Sequence, residues 1–184
     1  MKKYLVIGNP IKHSLSPKLH NYWFKKNNID ANYDKKKIDK NEIQEIISQI
    51  KNNKLDGINV TVPFKSDVIP FLDRLSEEAK ITQSVNTIYT QDKKIVGHNT
   101  DIKGFELSLN ETQFDLKNKI IFILGAGGVV PSIIFALEKL GVSEIIVTNR
   151  TKQKAENLKK NFSKIRVVDW GDQPEFDVII NATS

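Results

Sequence analysis

Residues 119–151 constrain the fold more than any other part of the chain. This segment begins with an apolar run, Ile120-Ile121-Phe122-Ile123-Leu124, and then turns on small residues, Gly125-Ala126-Gly127-Gly128. A helical apolar spacing follows over residues 133–140, Gly141 ends it, and a second apolar run covers residues 145–147. A run that is apolar at every position is typical of a strand buried on both faces of a parallel sheet. The order strand, glycine turn, helix and strand predicts a βαβ unit.

The glycine turn indicates what this unit binds. Gly125 allows a sharp turn at the end of the strand, and Gly127 lets the backbone approach a pyrophosphate at the helix N-terminus. The third glycine of the G-x-G-x-x-G pattern is absent, because Val130 occupies its position. We therefore expect a Rossmann-type dinucleotide-binding domain. The alternative is a βαβ turn whose glycines serve only packing.

The residues after the second strand favour NADP over NAD. NAD-binding units usually place a carboxylate there to bind the ribose hydroxyls. This chain has Asn149-Arg150-Thr151 and, one turn later, Lys154. The planar guanidinium of an arginine matches the oxygens of a ribose 2′-phosphate. Arginine is rare in this sequence, with three among 28 lysines and arginines, so its presence at this point is informative.

The first part of the chain alternates strands and helices. We predict strands at residues 4–7, 31–38 and 58–62, and helices that begin at Ser16-Pro17, span residues 41–51, and run from Pro63 to Leu75. Ser16 is the expected N-cap, with Pro17 as the first helical residue. The alternation predicts a mostly parallel sheet. The fold class is therefore α/β: an N-terminal, mostly parallel α/β domain over residues 1–101, followed by a Rossmann-type domain over residues 102–184.

Within that second domain, the sequence predicts three further elements after the βαβ unit. A helix is expected over residues 152–162, and strands over residues 165–168 and 177–180. In the first domain, strands over residues 84–89 and 94–96 are expected to be joined by a turn at Gln91-Asp92.

Composition excludes several classes of function. The 184-residue chain has no cysteine, which excludes disulfides, thiolate metal sites and cysteine nucleophiles and fits a cytoplasmic protein. The three histidines, His13, His20 and His98, lack ligand spacing, so no metal site is predicted. The net charge of +6 comes from scattered lysines rather than a patch, so no nucleic-acid partner is expected. No segment approaches the ~20 apolar residues that span a bilayer, so no membrane association is expected.

Polar clusters follow the predicted strands. Ligands of parallel α/β folds bind at the carboxyl ends of strands. The clusters are Ser14-x-Ser16, Asn59-x-Thr61 with Lys65, Asn86-Thr87, and Asn99-Thr100-Asp101. Their hydroxyls, amides, ammonium and carboxylate suit a small polyhydroxylated acid. Taken singly, each has a simpler structural interpretation, as a cap, a turn residue or a surface lysine, and only the ordered combination favours a ligand site.

With these clusters in view, the sequence resembles the shikimate dehydrogenase family over its whole length. The matching segments, in the family's order and spacing, are Gly8-Asn9-Pro10, Ser14-Leu15-Ser16-Pro17, Asn59-Val60-Thr61-Val62-Pro63-Phe64-Lys65, Val85-Asn86-Thr87, Asn99-Thr100-Asp101, Gly125-Ala126-Gly127-Gly128, Asn149-Arg150-Thr151 and Asn181-Ala182-Thr183. The resemblance implies a reversible, NADPH-linked reduction of 3-dehydroshikimate to shikimate, on the route through chorismate to aromatic amino acids. It also implies that residues 1–101 bind shikimate and that residues 102–184 bind NADP.

The resemblance also implies a role for individual residues. Ser14 and Ser16 resemble the pair that binds the substrate carboxylate. The implied ring-hydroxyl contacts are Thr61, Asn86 and Asp101, and the implied catalytic residues, which also touch the substrate, are Lys65 and Asp101. The implied cofactor-binding residues are Glu77, Gly125, Ala126, Gly127, Gly128, Val129, Asn149, Arg150, Thr151 and Lys154.

The sequence departs from the family pattern at several positions. His98 stands where aspartate is common, Val129-Val130-Pro131 replaces small residues and an arginine, and Lys154 replaces a common arginine. The family's chain also continues past Ser184, with a nicotinamide-side loop and a substrate-binding glutamine. We therefore expect this sequence to be the N-terminal part of a longer protein.

Two alternative functions stay open at this point. One is a quinate/shikimate dehydrogenase that uses NAD, which a carboxylate near Asn149 would have supported. The other is a chain that binds ligand without turning it over. The sequence does not determine the oligomeric state, and a homodimer is a candidate assembly.

Overall fold

The computed structural model describes residues 1–183, which divide into two compact units. The first unit covers Met1–Asn99, and the second begins at Thr100. Asp101, which the sequence analysis placed at the end of the first domain, therefore belongs to the second unit by its contacts.

The first unit is built around a six-stranded sheet. Its elements are β1 (Lys2–Gly8), α1 (Ser16–Lys26), β2 (Ala31–Lys37), a 3₁₀ turn (Lys40–Glu42), α2 (Ile43–Lys51), β3 (Gly57–Val60), a second 3₁₀ turn (Ile69–Phe71), β4 (Arg74–Leu75), α3 (Glu77–Thr82), β5 (Thr87–Gln91) and β6 (Lys94–His98). The strand order is β2-β1-β3-β5-β6-β4. β1 lies parallel to β2 and β3, and β4 lies parallel to β6, whereas β5 is antiparallel to both β3 and β6.

The core of the first unit depends on the apolar face of α2. Isoleucines at three- and four-residue spacing are all buried: Ile43, Ile46, Ile47 and Ile50. They belong to one cluster with strand residues such as Ile7, Ile58 and Ile88. The periodicity in the sequence had predicted this helix, and the structure confirms it.

The helix predicted from Pro63 to Leu75 is wrong. Residues 62–68 form turns, followed by the 3₁₀ turn Ile69–Phe71 and the short strand β4. Phe64 and Val68 are buried at helical spacing, which explains the misleading pattern. Pro70 has no N–H to donate to the carbonyl of Ser66, and it disfavours a helical conformation in the residue before it.

The capping role predicted for Ser16 is also wrong. Ser16 is the first helical residue of α1, and Leu15 occupies the cap position without a side-chain hydrogen bond. The hydroxyl of Ser14 accepts the N–H of Ser16 at 3.3 Å. The first orphan donor of the helix is therefore satisfied from two residues upstream rather than by an N-cap.

The second unit has the Rossmann-type architecture that the sequence predicted. Its elements are α4 (Asp101–Glu111), β7 (Ile120–Leu124), α5 (Val130–Lys139), β8 (Glu144–Thr148), α6 (Lys152–Leu158), β9 (Ile165–Val167) and β10 (Val178–Asn181). The four strands are all parallel, in the order β10-β7-β8-β9. α6 ends four residues before the predicted end, because the chain turns between Leu158 and Phe162 with both residues buried.

A buried carboxylate joins α4 to α5. Glu106 is 8% exposed, and its carboxylate lies 2.7 Å from the ammonium of Lys139 and 3.5 Å from that of Lys103. Because a charge removed from water is costly unless it is paired, this contact favours one placement of α4 on α5.

Among residues 1–183, no helix has the length and apolarity that crossing a membrane requires.

Gly125 is a position where the fold requires glycine. Its φ is +112°, and an added Cβ would lie 2.7 Å from the carbonyl oxygen of Ala182. We expect Gly125→Ala to destabilise the protein by about 1–3 kcal/mol, since the substitution adds both backbone strain and a contact with main chain.

Gly104→Ala is the matched control. Gly104 lies within α4, and a Cβ there would have no heavy atom within 4 Å. This change should stabilise the protein by roughly 0.5–1 kcal/mol, because alanine loses less conformational entropy than glycine in a helix. Urea denaturation of the two variants tests the comparison, and equal midpoints would show that Gly125 is not constrained.

Candidate functional site

The polar residues of the first unit meet at one edge of its sheet. We call this the polar edge: the ends of β1, β3 and β6 together with the start of β5. The strand register pairs Val6 with Asn59, Asn59 with Thr87, and Thr87 with His98, so these residues form one row across four strands. Because β5 runs antiparallel, its first residues lie beside the last residues of its neighbours.

Three of the predicted substrate residues lie at the polar edge. Thr61 follows β3, and its N–H donates to the carbonyl of Ile7 at 3.0 Å. The carbonyl of Lys65 accepts the N–H of Val85 at 2.8 Å, which holds the turn that contains Lys65 against the residue before Asn86. Thr61, Lys65 and Asn86 are all half-buried, so each is partly accessible to solvent.

Ser14 and Ser16 lie in the segment that joins β1 to α1. Both side chains are half-buried, and the hydrogen bond from the Ser16 N–H to the Ser14 hydroxyl brings them together. Gly8 is the last residue of β1, and a Cβ atom at this position would lie 2.6 Å from the methyl group of Thr61. The path of this segment therefore depends on glycine at the end of β1.

Sequence reasoning missed Tyr33 and His20, which lie beside the polar edge. Tyr33 is 4% exposed, and its hydroxyl donates to the Asn59 side-chain oxygen at 2.6 Å. The imidazole of His20 stacks on the Tyr33 ring, with 4.2 Å between centroids and 8° between planes. Burial lowers the pKa of His20 and raises the pKa of Tyr33. No local pattern in the polar strand β2 signals these contacts, because they join α1, β2 and β3.

Three other residues that the sequence analysis singled out have surroundings unlike those of Thr61, Lys65 and Asn86. Glu77 is the first residue of α3, where its exposed carboxylate pairs with Lys80 at 2.7 Å. Asn99, part of one predicted cluster, is 1% exposed and donates to Thr82 and to the Ser84 carbonyl. Asp101 is half-buried in the second unit and is the first residue of α4, where the helix dipole favours a carboxylate.

The glycine turn of the second unit connects β7 to α5. The N–H of Gly125 donates to the Thr148 carbonyl at 2.8 Å, and Gly127 and Gly128 are exposed at the approach to α5. The side-chain oxygen of Asn149 accepts the N–H of Ala126 at 3.2 Å, and its amide donates to the Thr151 carbonyl at 2.9 Å. Asn149 therefore holds the glycine turn beside the loop that follows β8.

Val130 explains how the turn tolerates the missing third glycine. The side chain is fully buried in the core between α5 and the sheet, in the same cluster as Ile121 and Ile123. Val129, the residue before it, is half-buried at the cap position of α5. The spacing between helix and strand in this protein accommodates a valine side chain.

The cations near the end of β8 differ in their pairing. Arg150, Thr151 and Lys154 are exposed, and within residues 1–183 neither Arg150 nor Lys154 has an ion-pair partner. Lys152, in contrast, lies 2.7 Å from Asp169, and this hydrogen bond raises the pKa of Lys152. Arg166 pairs with Glu144 at 2.6 Å. The guanidinium available to an anion at the end of β8 is therefore that of Arg150.

No cluster of three or more histidine, cysteine or acidic side chains suited to a metal ion occurs within residues 1–183. A parallel sheet with a glycine turn at a helix N-terminus defines a dinucleotide-binding α/β protein. The first unit is separate from this sheet, and its polar edge is rich in hydroxyl and amide groups. The class is thus a two-unit dinucleotide-binding α/β protein whose first unit has a polar edge.

The particular family follows from comparison with known proteins. A model of the shikimate dehydrogenase substrate binding domain matches residues 6–88, and a model of shikimate/quinate 5-dehydrogenase matches residues 106–184. An NADP(+) shikimate dehydrogenase of Pelagibacter ubique is 60% identical over 183 residues, which cover all of this chain and 69% of that protein. The chain belongs to the shikimate dehydrogenase family.

Solved structures agree with this assignment. The shikimate dehydrogenase of Aquifex aeolicus superposes with a TM-score of 0.91 at 40% identity, over all of this chain and 69% of that one. The enzyme of Thermus thermophilus, solved in complex with NADP(H) and shikimate, gives a TM-score of 0.88 at 31% identity, over all of this chain and 69% of that one. The predicted fold class and family are confirmed.

The surroundings of His20 predict a dependence of stability on pH. Because burial lowers its pKa in the folded state, the fold favours the neutral imidazole. Its stabilising contribution is present above the unfolded-state value of 6.5 and is lost as the pH falls toward the folded-state pKa. His20→Phe, which keeps a ring against Tyr33, should therefore lose less melting temperature on acidification than the parent protein.

His13→Phe is the control for this prediction, because His13 is exposed. Melting curves of the three proteins above and below pH 6.5 provide the measurement. If His20→Phe and the parent lose melting temperature in parallel, His20 does not contribute to the acid sensitivity.

Proposed function

We propose that this protein catalyses the reversible NADPH-linked reduction of 3-dehydroshikimate to shikimate in aromatic amino acid biosynthesis. The observation that supports this most directly is the strand register of the first unit, which brings Thr61, Lys65 and Asn86 to one polar edge. The second unit supplies the glycine turn and the exposed Arg150 that an NADP-dependent enzyme needs.

We assign the substrate contacts by chemistry and by family resemblance. The hydroxyls of Ser14 and Ser16, close to the helix N-terminus of α1, suit a carboxylate, which accepts hydrogen bonds. Thr61, Asn86 and Asp101 suit ring hydroxyls, which both donate and accept. These assignments stay predictions, and together they describe a ligand with one acidic group and several hydroxyls.

Lys65 and Asp101 are the proposed catalytic residues. NADPH, when bound, supplies the hydride for the ketone carbon. As that carbon is reduced, its oxygen gains negative charge, which the Lys65 ammonium stabilises and then neutralises with a proton. In the reverse direction the Lys65 amine takes the hydroxyl proton. Asp101 is proposed, from the family resemblance, to act on a hydroxyl of the substrate.

The proposed cofactor residues belong mainly to two adjacent loops. Gly125 to Val129 would hold the pyrophosphate at the N-terminus of α5. Arg150, with Thr151 and Lys154, would bind the ribose 2′-phosphate, and Asn149 holds the two loops together. Glu77 stays a prediction from the family resemblance alone.

Oxidation of shikimate with NADP, followed by the absorbance of the reduced nicotinamide, tests the function. Quinate and NAD serve as parallel controls, and calorimetric binding of shikimate is measured on the same preparation. Faster turnover with quinate and NAD would favour the alternative dehydrogenase. Binding of shikimate without turnover would favour a non-catalytic ligand-binding role.

Replacement of Lys65 tests the proposed mechanism. We expect Lys65→Met to lower kcat by about 10²–10⁴-fold, the usual contribution of acid–base assistance, with a smaller change in KM. Lys54→Met is the control, because Lys54 is an exposed residue between α2 and β3. A kcat for Lys65→Met within a few-fold of the parent would refute the catalytic role.

Two basic residues two positions apart, Arg150 and Lys152, test cofactor recognition. Arg150→Ala should weaken NADP binding by about tenfold or more, since hydrogen bonds to charged groups contribute about 1.5–3 kcal/mol, and should leave NAD binding unchanged. Lys152→Ala should change NADP binding little, because Lys152 is already paired with Asp169. Fluorescence titration with both cofactors measures the effect, and an equal loss for NAD and NADP would contradict a 2′-phosphate contact.

A cytoplasmic location, which the sequence predicted, and a homodimer, which was a candidate assembly, stay untested. Cell fractionation and sedimentation velocity, respectively, are the measurements that check them.

A further inference from the structure

Four side chains connect β2 to the start of β5 through consecutive hydrogen bonds, and we call them the Tyr33 relay: Tyr33, Asn59, Thr87 and Asn86. The Tyr33 hydroxyl lies 2.6 Å from Asn59 Oδ1. Asn59 Nδ2 lies 3.1 Å from Thr87 Oγ1, which in turn lies 3.0 Å from Asn86 Oδ1. The last member of the relay is a proposed substrate contact, and the first is remote from it in sequence.

Main-chain chemistry determines the direction of these bonds. Asn59 Nδ2 also lies 3.0 Å from the main-chain carbonyl of Asn86, and a carbonyl oxygen can only accept. The NH₂ group of Asn59 must therefore face Asn86 and Thr87, which leaves its oxygen facing Tyr33. It follows that the Tyr33 hydroxyl donates. Because burial raises the pKa of Tyr33, the hydroxyl retains its proton throughout the neutral range.

The same reasoning determines the orientation of the Asn86 amide. Thr87 Oγ1 accepts from Asn59, so its own proton is directed to Asn86. The atom that receives this proton must be the oxygen of the Asn86 side chain. The NH₂ group of Asn86 is consequently directed away from Thr87, and Asn86 can act toward a ligand as a hydrogen-bond donor.

Tyr33 is itself held in place by α1. The Asn21 side chain accepts the main-chain N–H of Tyr33 at 2.9 Å and donates to its carbonyl at 2.7 Å. His20, on the same helix, stacks on the Tyr33 ring. The helix that begins at Ser16, a proposed carboxylate contact, thus also positions the first member of the relay.

We propose that Tyr33 is a positioning residue for the substrate, which acts through Asn59 and Thr87 to hold the Asn86 amide with its NH₂ group toward a ligand oxygen. This inference rests on the proposed function, in which Asn86 contacts a ring hydroxyl of shikimate. Tyr33 itself is buried and does not touch the substrate in this proposal.

Tyr33→Phe removes only the first donor of the relay. Asn59 Oδ1 then loses its partner, and the Asn59 and Thr87 side chains gain freedom that disorders Asn86. We expect the Kd for shikimate, measured by calorimetry, to rise about three- to tenfold, the usual effect of one lost hydrogen bond, and the Kd for NADP to stay unchanged. Tyr4→Phe is the matched control, because Tyr4 is a half-buried tyrosine on β1 outside the relay.

A double-mutant cycle distinguishes positioning from general destabilisation. If Tyr33 acts through Asn86, Tyr33→Phe should change the shikimate Kd less than twofold when Asn86→Ala is already present. An undiminished effect in that background would overturn the proposal. So would a shikimate Kd for Tyr33→Phe equal to that of the parent.

A measurement without ligand keeps the proposal separate from the proposed function. The side-chain NH₂ resonances of Asn59 and Asn86, assigned from Asn→Ala variants in ¹⁵N-labelled protein, report the relay directly. Tyr33→Phe should shift both resonances, whereas Tyr4→Phe should shift neither. Unmoved Asn86 resonances would overturn the relay even if the parent binds shikimate, and shifted resonances in a protein that does not bind shikimate would support the relay and contradict the proposed function.

Discussion

The antiparallel pairing of β5 with β3 and β6 is the constraint on which the first unit depends. In a wholly parallel sheet, the start of each strand lies at the edge opposite to the ends of its neighbours. Reversal of one strand brings Asn86 and Thr87, which precede and begin β5, to the edge where β1, β3 and β6 end. The polar edge therefore gathers side chains from widely separated segments without any long loop.

The second unit also brings its proposed ligand-binding groups to one edge of a sheet, but with fewer side chains. Its four parallel strands all end at the same edge, and the glycine turn after β7 has two exposed residues there, Gly127 and Gly128. Gly125 adopts a positive φ and packs its Cα against the main chain of Ala182. Asn149 joins this turn to the loop after β8. One amide side chain therefore connects the loop proposed to bind the pyrophosphate to the loop proposed to bind the ribose phosphate.

The accuracy of the sequence analysis varied along the chain for identifiable reasons. The core strands of the Rossmann-type unit were predicted because they are apolar at nearly every position. Residues 63–75 were predicted wrongly, because Phe64 and Val68 reproduce helical spacing while Pro70 prevents a continuous helix. Val130 was noted as a departure from the glycine pattern, and only its burial between α5 and the sheet explains why it is tolerated.

The sequence by itself determined the order of the elements, the position of the glycine turn, the absence of a carboxylate after β8 and the types of side chain in each polar cluster. These are properties of residues that are close in the chain. Only the tertiary structure decided that Tyr33 contacts Asn59, 26 residues away, and that Lys152 is paired with Asp169 while Arg150 stays exposed. Such partners depend on strand order and register, which the packing of the whole sheet sets and which no local periodicity encodes.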